Sequence, residues 1–235
     1  MREPPPRDPL LAAPEFTAAE IEAGRKLFAA EWRFVAAAGS LGVLPVLEGV
    51  EVAFAGRSNV GKSSLVNALT GRRALARISR TPGRTQELIF FSSGQSLRLV
   101  DLPGYGYAAA PKHKIAAWTG LIQAYIAGRA NLARVYILVD ARHRLKNADA
   151  PLLDMLDEAA VSYQLVLTKI DQLDKAELAP ATAALQRAIE RRPAAFPGIV
   201  ATSTRTGAGI PELRAAIARV KAERDHGGSQ RRRGG

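Results

Sequence analysis

Two glycines, a lysine and a serine fall at fixed spacing in the run GRSNVGKSS, from Gly56 to Ser64. The pattern G-x-x-x-x-G-K-S suits one task, the capture of a polyphosphate. Gly56 and Gly61 let the backbone of Arg57, Ser58, Asn59 and Val60 wrap close to an anion, with successive N–H groups facing inward. Lys62 adds a point charge for the β- and γ-phosphates, and Ser63 a hydroxyl ligand for Mg2+. The strand-like EVAFA runs into this loop and a helical pattern leaves it, so the positive end of a helix also points at the phosphates. That context identifies a P-loop.

A second apolar stretch, LRLV, ends in Asp101-Leu102-Pro103-Gly104. D-x-x-G alone is a weak signal, because any turn can carry it. At a strand's carboxyl end after a P-loop, the aspartate is placed to hold Mg2+ through water and Gly104 to offer its N–H to a γ-phosphate. Between the two motifs lies ISRTPGRTQEL, with Gly83, Arg84, Thr85, Gln86 and Glu87. A loop threonine that completes the metal shell only when a γ-phosphate is present makes a switch. Thr81 and Thr85 both qualify; Thr85, nearer the next strand, is favoured, giving Ser63 and Thr85 as the expected metal ligands.

The residue after Gly104 is Tyr105. Ras-type GTPases carry there a glutamine that orients the attacking water, and even they hydrolyse GTP alone at only ~10⁻⁴ s⁻¹, a rate that a supplied cation raises by ~10⁵. A tyrosine has no amide for this task, so slow intrinsic turnover is expected, with help from elsewhere. Three sources are open: K+ held at Asn59, a P-loop position that binds such an ion in several glutamine-lacking GTPases; a partner that orders Gly104 to Tyr107; or Arg84 from within the switch loop. The residues expected to act on the reaction are Asn59, Lys62, Thr85 and Gly104.

The base has its own motif. LVLTKID ends with Thr168-Lys169-Ile170-Asp171, a variant of N-K-x-D. An aspartate accepts from guanine N1–H and N2–H2 together, whereas adenine would leave the carboxylate unpaired, and sites of this kind discriminate by ~10⁴ or more. Lys169 would lay its stem across the base. Thr168 stands where asparagine is usual, so bracing of the P-loop is expected to be lost or weakened. Farther on, Thr202-Ser203-Thr204 can offer a backbone N–H to guanine O6. Four motifs in this order point to GTP and GDP rather than ATP.

Those motifs need a scaffold. Apolar strands EVAFA, LIFFS, LRLVD, RVYILVD, YQLVLT and GIVAT alternate with helical patterns over 62–69, 111–127, 148–159, 176–191 and 211–224. This predicts an α/β, three-layer fold: a mostly parallel six-stranded sheet with one antiparallel edge strand, LIFFS, and helices on both faces. A proline-rich leader (1–15) is expected to be disordered. It is followed by a helical extension (16–48) with a Thr17–Glu20 capping box, the nucleotide domain (49–224) and a flexible basic tail (225–235). The chain of 235 residues has no cysteine, which excludes disulfides and thiolate metal sites, and its three histidines lack ligand spacing. No apolar run approaches the ~18 residues that span a bilayer. A cytoplasmic monomer without stable membrane association is expected.

The formal net charge of +11 is uneven: from Arg72 to Lys146 there are 13 Lys/Arg against Glu87, Asp101 and Asp140, a surplus of ten. Arg72, Arg73, Arg77, Arg80 and Arg84 lie in or beside the first switch, and Lys112 and Lys114 follow the second. Such a block can bind nucleic-acid phosphates through counterion release.

With TPGRTQ, DLPGYGYA, LTKID and TSTRTG in order between Glu51 and Gly207, the sequence resembles the EngB family of bacterial GTP-binding proteins. The resemblance implies a factor for assembly of the large (50S) ribosomal subunit, working on the subunit or its precursor and on rRNA, with a link to cell division and septation. It also carries over GTP binding to positions 56–63, 83–87, 101–104, 168–171 and 202–204. A division- or membrane-associated GTP-binding scaffold is the alternative.

Overall fold

The computed structural model describes residues 15–72, 75–76, 87–94, 97–105, 112–143 and 145–233, with backbone alone at 112–118, 175 and 228–233. Gly83, Arg84, Thr85 and Gln86 lie outside the described residues, as do Arg73, Arg77, Arg80 and Thr81.

Seven strands form one sheet: β1 (Arg33–Ala38), β2 (Val50–Gly56), β3 (Leu88–Ser92), β4 (Leu97–Asp101), β5 (Leu132–Asp140), β6 (Tyr163–Thr168) and β7 (Val200–Ala201). Their order is β1-β3-β4-β2-β5-β6-β7. The pairs β2–β4, β2–β5, β5–β6 and β6–β7 are parallel, and β3 runs antiparallel to both of its neighbours. The count exceeds the expected six by β1, which covers the outer edge of β3 with a register shift between Phe34 and Ala36. RFVAAA has neither an alternating pattern nor a continuous bulky run, so only pairing with β3 reveals it as a strand.

Strands β2, β5 and β6 are buried along their whole length, as expected where crossover helices cover both faces. On one face α3 (Lys112–Gly128), α4 (Ala150–Glu158) and α5 (Lys175–Ile189) bury Tyr125, Leu156 and Leu185 against Val135, Ile137 and Leu165. On the other, α1 (Ala18–Phe28), α2 (Lys62–Thr70) and α6 (Ile210–Arg233) pack Phe28, Leu65 and Ile217 on Val52, Phe54 and Tyr136.

The expected capping box is present: Thr17 N–H donates to Glu20 Oε2 at 2.9 Å, and Glu20 N–H to Thr17 Oγ1 at 3.3 Å. A Cβ on Gly24 would sit 2.6 Å from Ala215 N, so α1 meets α6 at backbone contact. The extension expected as helical therefore holds a helix and then strand β1. The basic tail expected to be flexible continues α6 to Arg233, its turns linked by a Lys221–Asp225 ion pair of 2.6 Å at i,i+4 spacing. Among the described residues no helix is long and apolar enough to cross a membrane.

Candidate nucleotide-binding site

Strand β2 lies at the centre of the sheet, with β4 and β5 on either side, so its carboxyl end opens at a topological switch point where α/β sheets bind ligands. The P-loop leaves β2 there. Gly56 has φ +158°, and a Cβ on it would lie 2.8 Å from Val60 Cγ1 and 3.0 Å from the carbonyl of Leu138. No side chain fits this position. Asn59 and Gly61 take left-handed φ values of +64° and +106°, and α2 begins at the next residue, Lys62.

The switch glycine closes the phosphate end. A Cβ on Gly104 would stand 3.1 Å from Lys62 Nζ and 3.2 Å from Ser58 Oγ, so the D-x-x-G turn lies directly on the P-loop. Leu102 and Pro103 are buried and serve as anchors; the N–H of Leu102 donates to the carbonyl of Phe54 at 2.9 Å. Glu87, at the start of β3, is exposed.

Ser63 Oγ is 3.4 Å from Asp101 Oδ2, while Asp101 Oδ1 is buried with no hydrogen-bond partner among the described residues. Burial pushes the Asp101 carboxyl up, partly opposed by Lys62 and Ser63; it pushes the Lys62 ammonium down, partly opposed by Asp101. A desolvated carboxylate with a spare oxygen beside a hydroxyl fits Mg2+, and a desolvated ammonium fits phosphate.

Tyr105 is 7% exposed, and its ring belongs to the core beneath α3 and α4. Its main chain bridges to the P-loop: Ser58 N–H donates to the Tyr105 carbonyl at 3.0 Å, and Tyr105 N–H to the Gly56 carbonyl at 3.4 Å. Burial and the charge of Asp149 push its phenol far above the ordinary value, which keeps it neutral. In place of an amide aimed at water, the position carries a core side chain.

Thr168 corrects an expectation. Its hydroxyl donates to the carbonyl of Val60 at 2.9 Å, so the P-loop brace is kept without asparagine, because a buried threonine at the end of β6 is close enough to reach. Lys169, at φ +60°, adds a second brace, donating from Nζ to the Asn59 carbonyl at 2.7 Å and to Asp140 Oδ2 at 2.8 Å. Asp140, at the end of β5, also takes Arg142 in a two-pronged pair at 2.9 and 2.7 Å. Although burial works against it, these partners hold its carboxyl well below the usual range. Sequence reading passed Asp140 over, although an acid closing the apolar run RVYILVD was the available signal.

Thr202, Ser203 and Thr204 reach the same place from β7. Thr202 N–H donates to the Leu167 carbonyl at 2.6 Å, and the N–H of Ile170 to the Thr202 carbonyl at 3.2 Å. Ser203 Oγ donates to Asp171 Oδ1 at 2.5 Å, and Arg205 Nε lies 2.8 Å from Asp171 Oδ2. First the serine and then the arginine hold the Asp171 carboxyl below its ordinary value, so it is ionised at neutral pH. The structure thus brings the P-loop, the D-x-x-G turn, the T-K-x-D segment and the 202–204 turn together on loops after β2, β4, β6 and β7. Glu87 instead precedes β3 near Gly39 and contacts none of them among the described residues.

A P-loop fold with this phosphate cradle and a T-K-x-D base site defines a GTPase. A family model described as "50S ribosome-binding GTPase" matches residues 51–169. The chain is 63% identical over 206 residues, covering 87% of it and 95% of the relative, to the probable GTP-binding protein EngB of Rhodopseudomonas palustris (strain HaA2). Identity to the EngB of Nitrobacter hamburgensis is 60% over 205 residues, covering 86% and 94%. The chain belongs to the EngB family of GTP-binding proteins. A crystal structure of a probable GTP-binding protein engB is 24% identical, covers 74% of this chain and 100% of its own, and superimposes with a TM-score of 0.56, a likeness of fold.

Proposed function

We propose that this GTPase is a slow, nucleotide-gated assembly factor for the large ribosomal subunit, acting as a cytoplasmic monomer. The observation that carries the reading is the surplus of ten positive charges between Arg72 and Lys146, on segments that flank both switch loops. Three of the thirteen cations, Arg98, Arg129 and Arg134, are buried, and Glu51 and Glu48 take the first two in ion pairs. Seven of the remaining ten, Arg72, Arg73, Arg77, Arg80, Arg84, Lys112 and Lys114, lie in sequence in or beside the switches, where nucleotide state can gate a contact to rRNA phosphates. The description of the matching family model supports the ribosomal partner, and a link to division and septation would follow from defective ribosomes.

Slow turnover is supported by the Tyr105 ring, which is held in the core. Ser63 and Thr85 would hold Mg2+, with Asp101 acting through water; the ion supplies charge stabilisation to the phosphates. K+ at Asn59, Arg84 or the particle itself would provide the further cation. Co-sedimentation with 50S particles at physiological salt, with a non-hydrolysable GTP analogue or with GDP, tests the reading. Pelleting with the analogue alone is expected; absence from the pellet in both states would overturn the ribosomal role.

A further inference from the structure

Asp171 reads a purine edge only by presenting its carboxylate, yet its side chain is 7% exposed, against 74% for the Arg205 side chain paired with it. Both oxygens are held, and the two partners differ in kind. Ser203 is built in: its hydroxyl oxygen also accepts the N–H groups of Arg205 and Thr206 at 3.3 and 3.2 Å, and Gly207, at φ +82°, closes the turn on the Ser203 carbonyl at 2.9 Å. Arg205 is loosely placed. Apart from the carboxylate, its guanidinium makes a single recorded contact among the described residues, at 3.4 Å to the carbonyl of Asp171.

An ionised carboxylate offers about four acceptor directions. Oδ1 can therefore keep Ser203 and still accept one N–H from a base. Oδ2 is different, because the planar guanidinium lies against it at 2.8 Å. A second donor from the base and Arg205 Nε claim the same oxygen.

We propose that Arg205 is a specificity-determining counter-ion of the base site, one that only a base with two N–H donors displaces fully. Guanine brings N1–H and the N2 amine and replaces the arginine. Hypoxanthine brings N1–H alone, which Oδ1 can accept while Arg205 stays on Oδ2, and adenine has no donor to offer there. The arginine thus opposes the two-donor base most and tempers the preference for guanine over hypoxanthine. The size of that preference is set by a built-in competitor as well as by attraction. The proposal rests on the guanine assignment of 168–171.

Binding of fluorescent mant-GDP and mant-IDP to the full-length wild type, Arg205→Ala and Arg205→Lys tests it, at roughly 50 mM and about 1 M salt. At low salt, Arg205→Ala should bind mant-GDP about two- to fivefold more tightly, the range for losing a part-exposed ion pair. Its gain for mant-IDP should be smaller, so the GDP/IDP preference widens. At high salt the difference from wild type should fall below about twofold. Arg205→Lys, which keeps the charge, should stay near wild type, and equal unfolding midpoints should show that the fold is kept. Weaker or unchanged mant-GDP binding by Arg205→Ala would overturn the proposal, as would an unaltered GDP/IDP ratio. Wild-type protein that bound neither probe would instead overturn the guanine site itself, a failure visible before any substitution.

Discussion

One hydroxyl ties the base loop to the phosphate loop. Thr168 Oγ1 donates to the Val60 carbonyl across 108 positions of sequence, inside a buried pocket. Thr168→Val keeps the shape and removes the donor, which leaves a buried carbonyl poorly satisfied at a cost of about 1–3 kcal/mol. Denaturant titration should show that loss, and GDP affinity should fall with it, while Thr168→Ser keeps both near wild type; a valine variant as stable as the parent would refute the brace. The position after Gly104 yields a second prediction. Tyr105→Gln restores the residue type that orients water in Ras-type enzymes, but at a site whose side chain enters the core. Burying an amide there should cost about 2 kcal/mol or more and lower Tm, without raising the GTP turnover rate. Faster turnover at unchanged Tm would mean that the side chain reaches the phosphates after all.

Elements differ in how plainly the sequence announces them. Strands β3, β4 and β6 coincide with LIFFS, LRLVD and YQLVLT, because crossover helices bury both faces and leave continuous apolar runs. Strand β1 was hidden: three of its six residues are alanine, Phe34 and Val35 are exposed, and its identity depends on a partner 50 or more positions away. The site divides along the same line. The phosphate motif is contiguous, so its geometry follows from local spacing. The Thr168 brace, the Asp140–Lys169 pair and Arg205 on Asp171 arise only when separate loops meet. Packing of α1 on α6 is another contact invisible in sequence, and it rests on Gly24. A methyl group there would meet the backbone of Ala215 at 2.6 Å, and backbone cannot turn aside as a flexible side chain can. Gly24→Ala should therefore destabilise by roughly 1–3 kcal/mol through overpacking, despite alanine's better helix propensity. A thermal melt decides the sign, since propensity alone would raise Tm.

At the scale of the whole molecule, the nucleotide site is where distant parts of the chain are joined. Residues from Gly56 to Thr204 converge on it from the ends of β2, β4, β6 and β7, and Lys169 and Thr168 bind the P-loop directly. A ligand that spans the P-loop and Asp171 binds the folded chain and has nothing to bind when these loops are apart. Such a ligand adds about 2.7 kcal/mol at 100 times its Kd. A domain of this size moves by about 2–4 °C per kcal/mol. GDP at that excess should raise Tm by roughly 5–11 °C in a thermal-shift measurement. ADP at the same concentration should barely move it, because adenine brings no N–H to a carboxylate that Ser203 and Arg205 keep ionised. Asp171→Ala should erase the GDP shift and lower the unliganded Tm only modestly, since it removes the acceptor of the buried Ser203 hydroxyl and a pair with a largely exposed arginine. Equal shifts from GDP and ADP would place recognition entirely in the phosphates. A shift confined to GDP and lost with Asp171 means that one carboxylate, 115 positions after Gly56, selects the base and helps hold the whole fold around it.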